Sequence, residues 1–116
     1  MTPRRSTPLT EGNTPMPQLL VVAHLNIAAG EEDAVLAALP KLITISRTEP
    51  GNISFEGFRS LDNARQCLLV ERFVSRAAFD EHLASPHYKE FALDYIVPRL
   101  EGRTIEQFDV PGSEAE

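Results

Sequence analysis

Residues 66–74 read QCLLVERFV, and this stretch decides the fold. Apolar and β-branched residues dominate it, which is typical of a β-strand. Successive side chains of a strand point to opposite faces, so one face is expected to carry Cys67, Leu69, Glu71 and Phe73 and the other Leu68, Val70, Arg72 and Val74. Both sets are mainly apolar. Both faces are therefore expected to be removed from water.

Three further strands are predicted around this one. Residues 52–59, NISFEGFR, alternate in polarity, and the short polar link 60–65 makes them an antiparallel hairpin partner of residues 66–74. The segment QLLVVAHLNIA, from residue 18 to residue 28, is almost continuously apolar, which indicates a strand covered on both faces. Arg103 to Val110 is predicted as the last strand.

Two helical segments separate the strands. Between residues 31 and 48, apolar side chains recur along one helical stripe and acidic residues precede it, which predicts a helix. Pro40 lies inside this helix and predicts a kink or a break. Ser75 is predicted to cap a second helix, and Ser85-Pro86 to restart it and continue it to Pro98.

The order strand, helix, strand, strand, helix, strand predicts an α+β fold of the ferredoxin-like βαββαβ type. Its antiparallel sheet carries two helices on one face. The other face is left bare although its side chains are apolar. A second copy of the chain is the simplest cover, because most soluble oligomers are two-fold homodimers. A monomer whose termini fold back over the sheet is the alternative.

The composition limits the classes of partner. The chain has 116 residues, enough for one domain, with 17 acidic against 11 basic side chains and a net charge of −6. This charge argues against nucleic acid or a membrane surface as a partner. The single cysteine cannot form an internal disulfide, and no signal peptide or membrane span is evident, so a cytoplasmic location is expected. The Pro-rich residues 1–17 are predicted to be a disordered tail, residues 18–110 the folded domain, and residues 111–116 a loose end.

Four segments together resemble one known family. They are VVAHLNIAAGEED (21–33), EPGNISFE (49–56), VERF (70–73) and FDEHLASPHYKEF (79–91). In this order and spacing they resemble the antibiotic biosynthesis monooxygenase domain, including its small quinol-monooxygenase-like members, over about residues 18–108. The resemblance implies a dimeric α/β barrel formed by two packed sheets. It also implies an apolar cavity between the sheet and the helices of each protomer.

The resemblance implies oxidation of a small quinol-like or polyketide-like aromatic by O₂ without metal or flavin. Such a substrate supplies the electrons itself once it is deprotonated, so the protein needs a base and hydrogen-bond donors for the oxyanion. No cofactor is expected: the sequence has no GxGxxG or phosphate loop, and one cysteine excludes thiolate metal cages. The related haem-degrading proteins use an Asn, a Trp and a His, where this chain has Ala23, Phe73 and Ala92.

Each of the three histidines is a candidate for the site. His82 lies one helical turn after Phe79 and is a candidate catalytic base, or else a surface or cap-bonded histidine. His87 lies in the first turn of the restarted helix, as a substrate contact or a solvated turn residue. His24 shares a strand face with Val22 and is either catalytic or an interface histidine.

A metal site is not expected. Five residues along a helix correspond to about 140° of rotation, which separates His82 from His87, and Pro86 interrupts the helix between them.

Glu71 is a second candidate base. If it lies in the cavity beside Phe73, burial raises its pKa; the alternative is an ion pair with Arg72 or another arginine at a rim. Arg72 is also a candidate substrate contact. The aromatic residues belong first to the core, and some are expected to line the cavity: Phe55, Phe73, Phe79, Tyr88, Phe91 and Tyr95.

Two other functions are left open. The stretches GNISFE and PHYK are also similar to a signal-processing branch of the superfamily, which implies an isomerase of a small phosphorylated metabolite. That substrate requires a cluster among Arg59, Arg65, Arg72, Lys89, Arg99 and Arg103 at the cavity mouth. A non-catalytic ligand-binding dimer predicts no inward histidine and no open cavity.

Overall fold

The computed structural model describes residues 17–112. Within this range the strands are β1 (Gln18–Ile27), β2 (Asn52–Arg59), β3 (Gln66–Phe73) and β4 (Leu100–Val110), and the helices are α1 (Glu32–Ser46), α2 (Arg76–Leu83), a π-helix (Tyr88–Ile96) and a 3₁₀ turn (Val97–Arg99). The predicted tails fall almost entirely outside the described residues. Pro17 and residues 111–112 are described and have no regular structure.

The strands form one antiparallel sheet in the order β2-β3-β1-β4. This confirms the predicted ferredoxin-like α+β fold. We call the helix-covered side the inner face; β1 and β3 bury there Leu19, Val21, Ala23, Leu25, Ile27, Cys67, Leu69, Glu71 and Phe73. The opposite side, which we call the outer face, carries the alternate residues of each strand.

Helix α1 runs through Pro40 without a break, so of the predicted kink or break the break is wrong. Proline removes the hydrogen bond to the carbonyl of residue 36. Pro40 is on the exposed side of the helix, where water can donate a hydrogen bond to that carbonyl instead. The opposite side of α1 buries Val35, Leu39 and Leu42 against the sheet and holds the helix in place.

The second helical segment is interrupted where the sequence predicts. Helix α2 begins after Ser75, whose side chain accepts a hydrogen bond from the backbone of Ala78, and it ends at Leu83. The helical chain resumes at Pro86 but takes π geometry over Tyr88–Ile96. Strand β4 begins at Leu100, three residues earlier than predicted.

Two apolar clusters fill the space between sheet and helices. The larger includes Leu39, Phe55, Leu69 and Ile96, and the smaller is Leu19, Val21, Phe73, Ala78 and Phe79. Over residues 17–112, no helix is long and apolar enough to cross a bilayer.

Candidate functional site

A cavity of about 40 Å³ lies between the inner face and the helices. A water molecule needs roughly 10–15 Å³ measured in this way, so the cavity has room for a few waters. Its walls are mainly apolar, with Val21, Ala23, Leu39, Leu42, Phe55, Leu69, Phe79, Ala92 and Ile96 among them. Four polar side chains interrupt this surface: Glu71, His82, Tyr88 and Arg103.

His82 is enclosed by aromatic rings. Its side chain is 2% exposed, and its ring lies 5.3 Å from that of Phe73, 5.1 Å from that of Tyr88 and 5.7 Å from that of Phe55, measured between centroids. Helix α2 places it there because Phe79, one turn earlier on the same side, packs into the smaller cluster. The imidazole is therefore fixed in orientation and removed from bulk water.

The two ring nitrogens of His82 face different groups. Nδ1 lies 2.8 Å from Oε2 of Glu49, in the turn between α1 and β2. A carboxylate can only accept a hydrogen bond, so Nδ1–H is the donor and Nε2 keeps a free lone pair. Nε2 lies 4.0 Å from Oε1 of Glu71. This arrangement resembles the orientation of a catalytic imidazole by a carboxylate in hydrolases.

Glu71 is buried on the inner face, and among residues 17–112 its Oε1 has no hydrogen-bond partner. A separation of 4.0 Å from Nε2 of His82 is too long for a direct hydrogen bond. Two hydrogen bonds of about 2.8 Å that meet near a right angle span the same distance. One oxygen atom of a ligand can therefore contact both His82 and Glu71.

Burial shifts the protonation of both groups. Loss of hydration raises the pKa of Glu71 to about 8, and the nearby negative charge of Glu49 adds to this. Burial lowers the pKa of His82, while the hydrogen bond to Glu49 opposes that change. At neutral pH the site therefore combines a neutral imidazole, which can accept a proton, with a protonated carboxyl, which can donate a hydrogen bond.

The structure also brings His87 to this cluster, and the geometric argument that separated it from His82 was wrong. Its Nε2 is hydrogen-bonded to Oε2 of Glu49, the same oxygen that Nδ1 of His82 contacts. The rotation of about 140° assumes a continuous helix, whereas α2 ends at Leu83 and the chain turns before it resumes.

Glu49, His82 and His87 together offer a ligand set of the kind that binds divalent metals. Ligand atoms about 2.0–2.2 Å from a tetrahedral metal stand roughly 3.3 Å or more apart. The 2.8 Å between His82 and Glu49 is instead the length of an N–H···O hydrogen bond. The described arrangement is therefore a hydrogen-bonded cluster.

Tyr88 and Arg103, the other two polar residues of the cavity wall, are joined to each other. Nη1 of Arg103 donates a hydrogen bond to the Tyr88 hydroxyl over 3.3 Å, and both residues line the cavity. Tyr88 thus lies between the two residues. Its ring is beside the imidazole of His82, and its hydroxyl contacts the guanidinium of Arg103.

Several predicted site residues reach the cavity and others do not. Phe55, Phe79 and Tyr88 line it together with Glu71 and His82. Phe73 is fully buried behind the lining, in contact with the rings of Phe79 and His82. Phe91 and Tyr95 lie away from the cavity, in a groove against α1.

His24 and Arg72 lie on the outer face and do not approach the cavity. His24 bonds Glu106 of β4 across 2.9 Å, and both side chains are more than 40% exposed. Arg72 pairs in register with Leu20, a residue of the outer face. The expected alternative of a Glu71–Arg72 ion pair is therefore wrong, because adjacent residues of a strand point to opposite faces.

Glu49 was missed by sequence reasoning, which named it only as the first residue of the segment EPGNISFE (49–56). Its importance depends on a contact with residues 33 and 38 positions away. The only available signal was its place in one of the four segments that carry the family resemblance. Arg103 was considered only as an anchor for phosphate.

The family model described as "Antibiotic biosynthesis monooxygenase" matches residues 18–93. The chain is 37% identical over 71 residues to Rv0793 of Mycobacterium tuberculosis, covering 61% of this chain and 69% of that protein, whose name gives it provisionally as a monooxygenase. The solved structure of Rv0793 superposes with a TM-score of 0.74 at 30% identity, covering 85% of this chain and 99% of that one.

A second solved structure gives a similar result. Protein SO0527 of Shewanella oneidensis superposes with a TM-score of 0.77 at 31% identity, covering 87% of this chain and 98% of that chain. The resemblance noted in the sequence is thus supported by a family model, by a curated relative and by solved structures.

Proposed function

This chain belongs to the antibiotic biosynthesis monooxygenase family, and from that premise we propose that it oxidises a small quinol-like or polyketide-like aromatic with O₂, without metal or organic cofactor. One observation carries the proposal. Nε2 of His82 and Oε1 of Glu71 stand 4.0 Å apart at an apolar cavity, with Nδ1 of His82 held by Glu49. A base and a hydrogen-bond donor are thereby directed at one ligand atom.

The proposed reaction begins with a substrate hydroxyl, or acidic carbon, placed between these two groups. Nε2 of His82 accepts the proton, and the protonated carboxyl of Glu71 donates a hydrogen bond to the resulting anion. The apolar walls leave the anion poorly solvated and electron-rich, so that it can reduce O₂. One oxygen atom enters the product and the other leaves as water. All four electrons come from the substrate, so no external reductant is needed.

The cavity must widen to admit an aromatic ring. Its volume of about 40 Å³ is well below the roughly 300–1,000 Å³ of typical small-molecule sites. Leu83 lines the cavity and is partly exposed, and Arg103 lines it from β4 at the edge of the sheet. Movement of these two side chains is the simplest way to open it.

We further propose that the working unit is a homodimer joined through the outer face. That face carries apolar side chains that are only partly covered in one chain: Leu20, Val22, Phe58, Leu68, Val70 and Phe108. Phe58 and Phe108 remain 52% and 47% exposed. A second sheet would remove this surface from water and complete the expected α/β barrel.

The alternatives receive less support. Of the six cationic residues considered as phosphate anchors, only Arg103 lines the cavity. Arg65, Lys89 and Arg99 are instead paired with acidic side chains. The non-catalytic alternative predicts neither an inward histidine nor a cavity, whereas His82 borders one.

Oxygen uptake with a panel of menadiol-like quinols and anthrones tests the proposal. The protein is expected to accelerate uptake above autoxidation for at least one compound. Loss of the general base in His82→Ala is expected to reduce kcat by roughly 10²–10⁴-fold. Uptake equal to autoxidation across the panel would exclude the monooxygenase function. An unchanged rate in His82→Ala would exclude His82 as the base but would not exclude the monooxygenase function.

A further inference from the structure

A chain of three side chains leads from the protein surface to the cavity. His87 and Glu49 are 16% and 14% exposed, and His82 beyond them is 2% exposed. We propose that His87 is a positioning residue: by donating to Glu49 it holds the carboxylate that fixes the proton of His82 on Nδ1 and leaves Nε2 free for substrate. The catalytic consequence of this inference rests on the proposed function; the effect on His82 itself does not.

The turn between α2 and the π-helix sets the position of His87. Ser85 links both ends of this turn, because its hydroxyl donates to the carbonyl of His82 over 2.7 Å and accepts from the backbone N–H of Tyr88 over 3.2 Å. The two histidines therefore lie on either side of a turn that Ser85 stabilises, and both contact Oε2 of Glu49. Their rings are 6.1 Å apart, with the Glu49 carboxylate joining them.

Glu49 depends on the histidines for its orientation. Within residues 17–112, its carboxylate forms ion pairs only with His82 and His87, and no Lys or Arg lies in range. A carboxylate at a partly exposed turn can rotate toward water when one of two partners is removed. Loss of His87 would therefore weaken the contact to His82 without touching His82 directly.

The shared oxygen of Glu49 also faces the imidazolium that forms when His82 takes up a proton. Oε2 of Glu49 accepts a hydrogen bond from each histidine, Nδ1 of His82 and Nε2 of His87. When Nε2 of His82 accepts the substrate's proton, the proton on Nδ1 then stays on the ring and the imidazolium is paired with the carboxylate. Glu71 and Tyr88 are the other polar residues facing this imidazole, and neither contacts Nδ1 within hydrogen-bonding distance.

Two substitutions separate positioning from other roles of His87. His87→Gln keeps an N–H donor but cannot titrate, whereas His87→Ala removes the donor. Lys89→Ala, two residues away in an exposed ion pair with Asp94, is the matched control. Circular dichroism and thermal unfolding of each variant establish that it is folded before further measurement.

The first measurement is the tautomer of His82, read from long-range ¹H–¹⁵N correlation spectra of the intact protein. The Nδ1–H form is expected to dominate in the wild type, in His87→Gln and in Lys89→Ala. In His87→Ala a mixture with the Nε2–H form is expected. This readout is independent of any substrate, so it tests the inference even if no monooxygenase activity is found.

The second measurement is the rate with the quinol that the uptake panel identifies. His87→Ala is expected to lower kcat roughly tenfold at unchanged KM, as loss of an orienting partner does elsewhere, with His87→Gln restoring it to within about twofold. Equal loss in both variants would mean that His87 carries protons and would overturn the positioning role. An unchanged His82 tautomer in His87→Ala would overturn it as well.

Metal binding is the remaining competing explanation. Titration with Zn²⁺, Ni²⁺ and Co²⁺ by calorimetry is expected to show no tight equimolar site at pH 7. Micromolar equimolar binding that is lost in both His87→Ala and His87→Gln would make His87 a metal ligand and overturn the inference.

Discussion

His82 and His24 each hydrogen-bond to a glutamate, at 2.8 Å and 2.9 Å, on opposite sides of one sheet. His82 is almost completely buried among aromatic rings, whereas His24 and Glu106 are more than 40% exposed. Burial lowers the pKa of His82 and raises that of Glu71 beside it to about 8. The exclusion of water on the inner face thus shifts the pKa values of His82 and Glu71 in opposite directions.

The two faces also differ in what covers them. The inner face is closed by α1, α2 and the π-helix, and the apolar residues that β1 and β3 place there are buried within one chain. The outer face keeps Phe58 and Phe108 about half exposed. The inner face therefore contributes to folding and is proposed to carry the chemistry, and the outer face is proposed to serve assembly.

The largest expected difference between the faces is in stability. Phe73→Ala removes a fully buried ring of the inner face, and we expect a loss of about 3–5 kcal/mol in the free energy of unfolding. Val74→Ala, at the next position but 48% exposed, is expected to change it by less than about 1 kcal/mol. Urea denaturation measures both. Similar losses in the two variants would contradict the assignment of the faces.

The second effect is a pH dependence caused by Glu71. Its pKa is about 8 in the folded protein against 4.5 when unperturbed, so between these values the folded chain keeps a proton that the unfolded chain releases. The stabilisation is complete below pH 4.5 and is lost as pH rises through about 8. The slope between them approaches about 1.4 kcal/mol per pH unit.

Glu71→Gln removes this dependence. Between pH 5.5 and 7.5 we expect the wild type to lose roughly 2–3 kcal/mol more than the variant, as measured by urea denaturation at both pH values. His82 is common to both proteins, so its own contribution, which is lost on acidification because its pKa is lowered, cancels. Glu106→Gln on the outer face is the control. The same pH dependence in all three proteins would show that Glu71 is not buried as described.

A smaller effect is expected on assembly. Leu68→Lys places a charge in the middle of the outer face and should weaken self-association at least about tenfold, or 1.4 kcal/mol. Sedimentation velocity over a concentration series measures this. Leu61→Lys, fully exposed in the β2–β3 loop, should leave association unchanged. A monomeric wild type at every concentration, or an unchanged dimer in Leu68→Lys, would contradict assembly through this face.

The smallest expected effect concerns the exposed pair. Within a single chain, His24→Gln should change the free energy of unfolding by less than about 1 kcal/mol, because a hydrogen bond between two exposed side chains gains little over hydration. It should also leave the rate of quinol oxidation unchanged, since His24 does not reach the cavity. Thermal unfolding and oxygen uptake measure the two. A large loss of rate would return His24 to the list of catalytic candidates.

Much of the fold could be predicted from local pattern. The alternation in residues 66–74 predicted that Glu71 shares a face with Phe73, and the structure buries both. Ser75 and Ser85-Pro86 correctly marked where the second helical segment starts and is interrupted. The break predicted at Pro40 was wrong. A single proline on the exposed side of a helix destabilises the helix by less than its packing against the sheet stabilises it.

The candidate site could be predicted only in part. His82 and Glu71 were identified because each lies on a strand or helix whose apolar side is evident in the sequence. Glu49 was not, since a carboxylate in a turn has no periodicity to show where it points. His87 was excluded as a neighbour of His82 on the assumption of straight helical geometry, which the turn at residues 84–85 removes.

The sequence by itself determined the order of the elements and the faces of the strands, because both follow from periods of two and about 3.6 residues that act over a few neighbours. Tertiary structure alone decided that one oxygen of Glu49 meets two histidines, 33 and 38 residues away. It also decided that Oε1 of Glu71 faces His82 with no hydrogen-bond partner in the described part of the chain. Such contacts join residues far apart in the sequence, so they depend on how the turns of the chain bring its helices and strands together. The protonation of the groups follows from the water that the surrounding side chains exclude, a property of the packed molecule rather than of any segment.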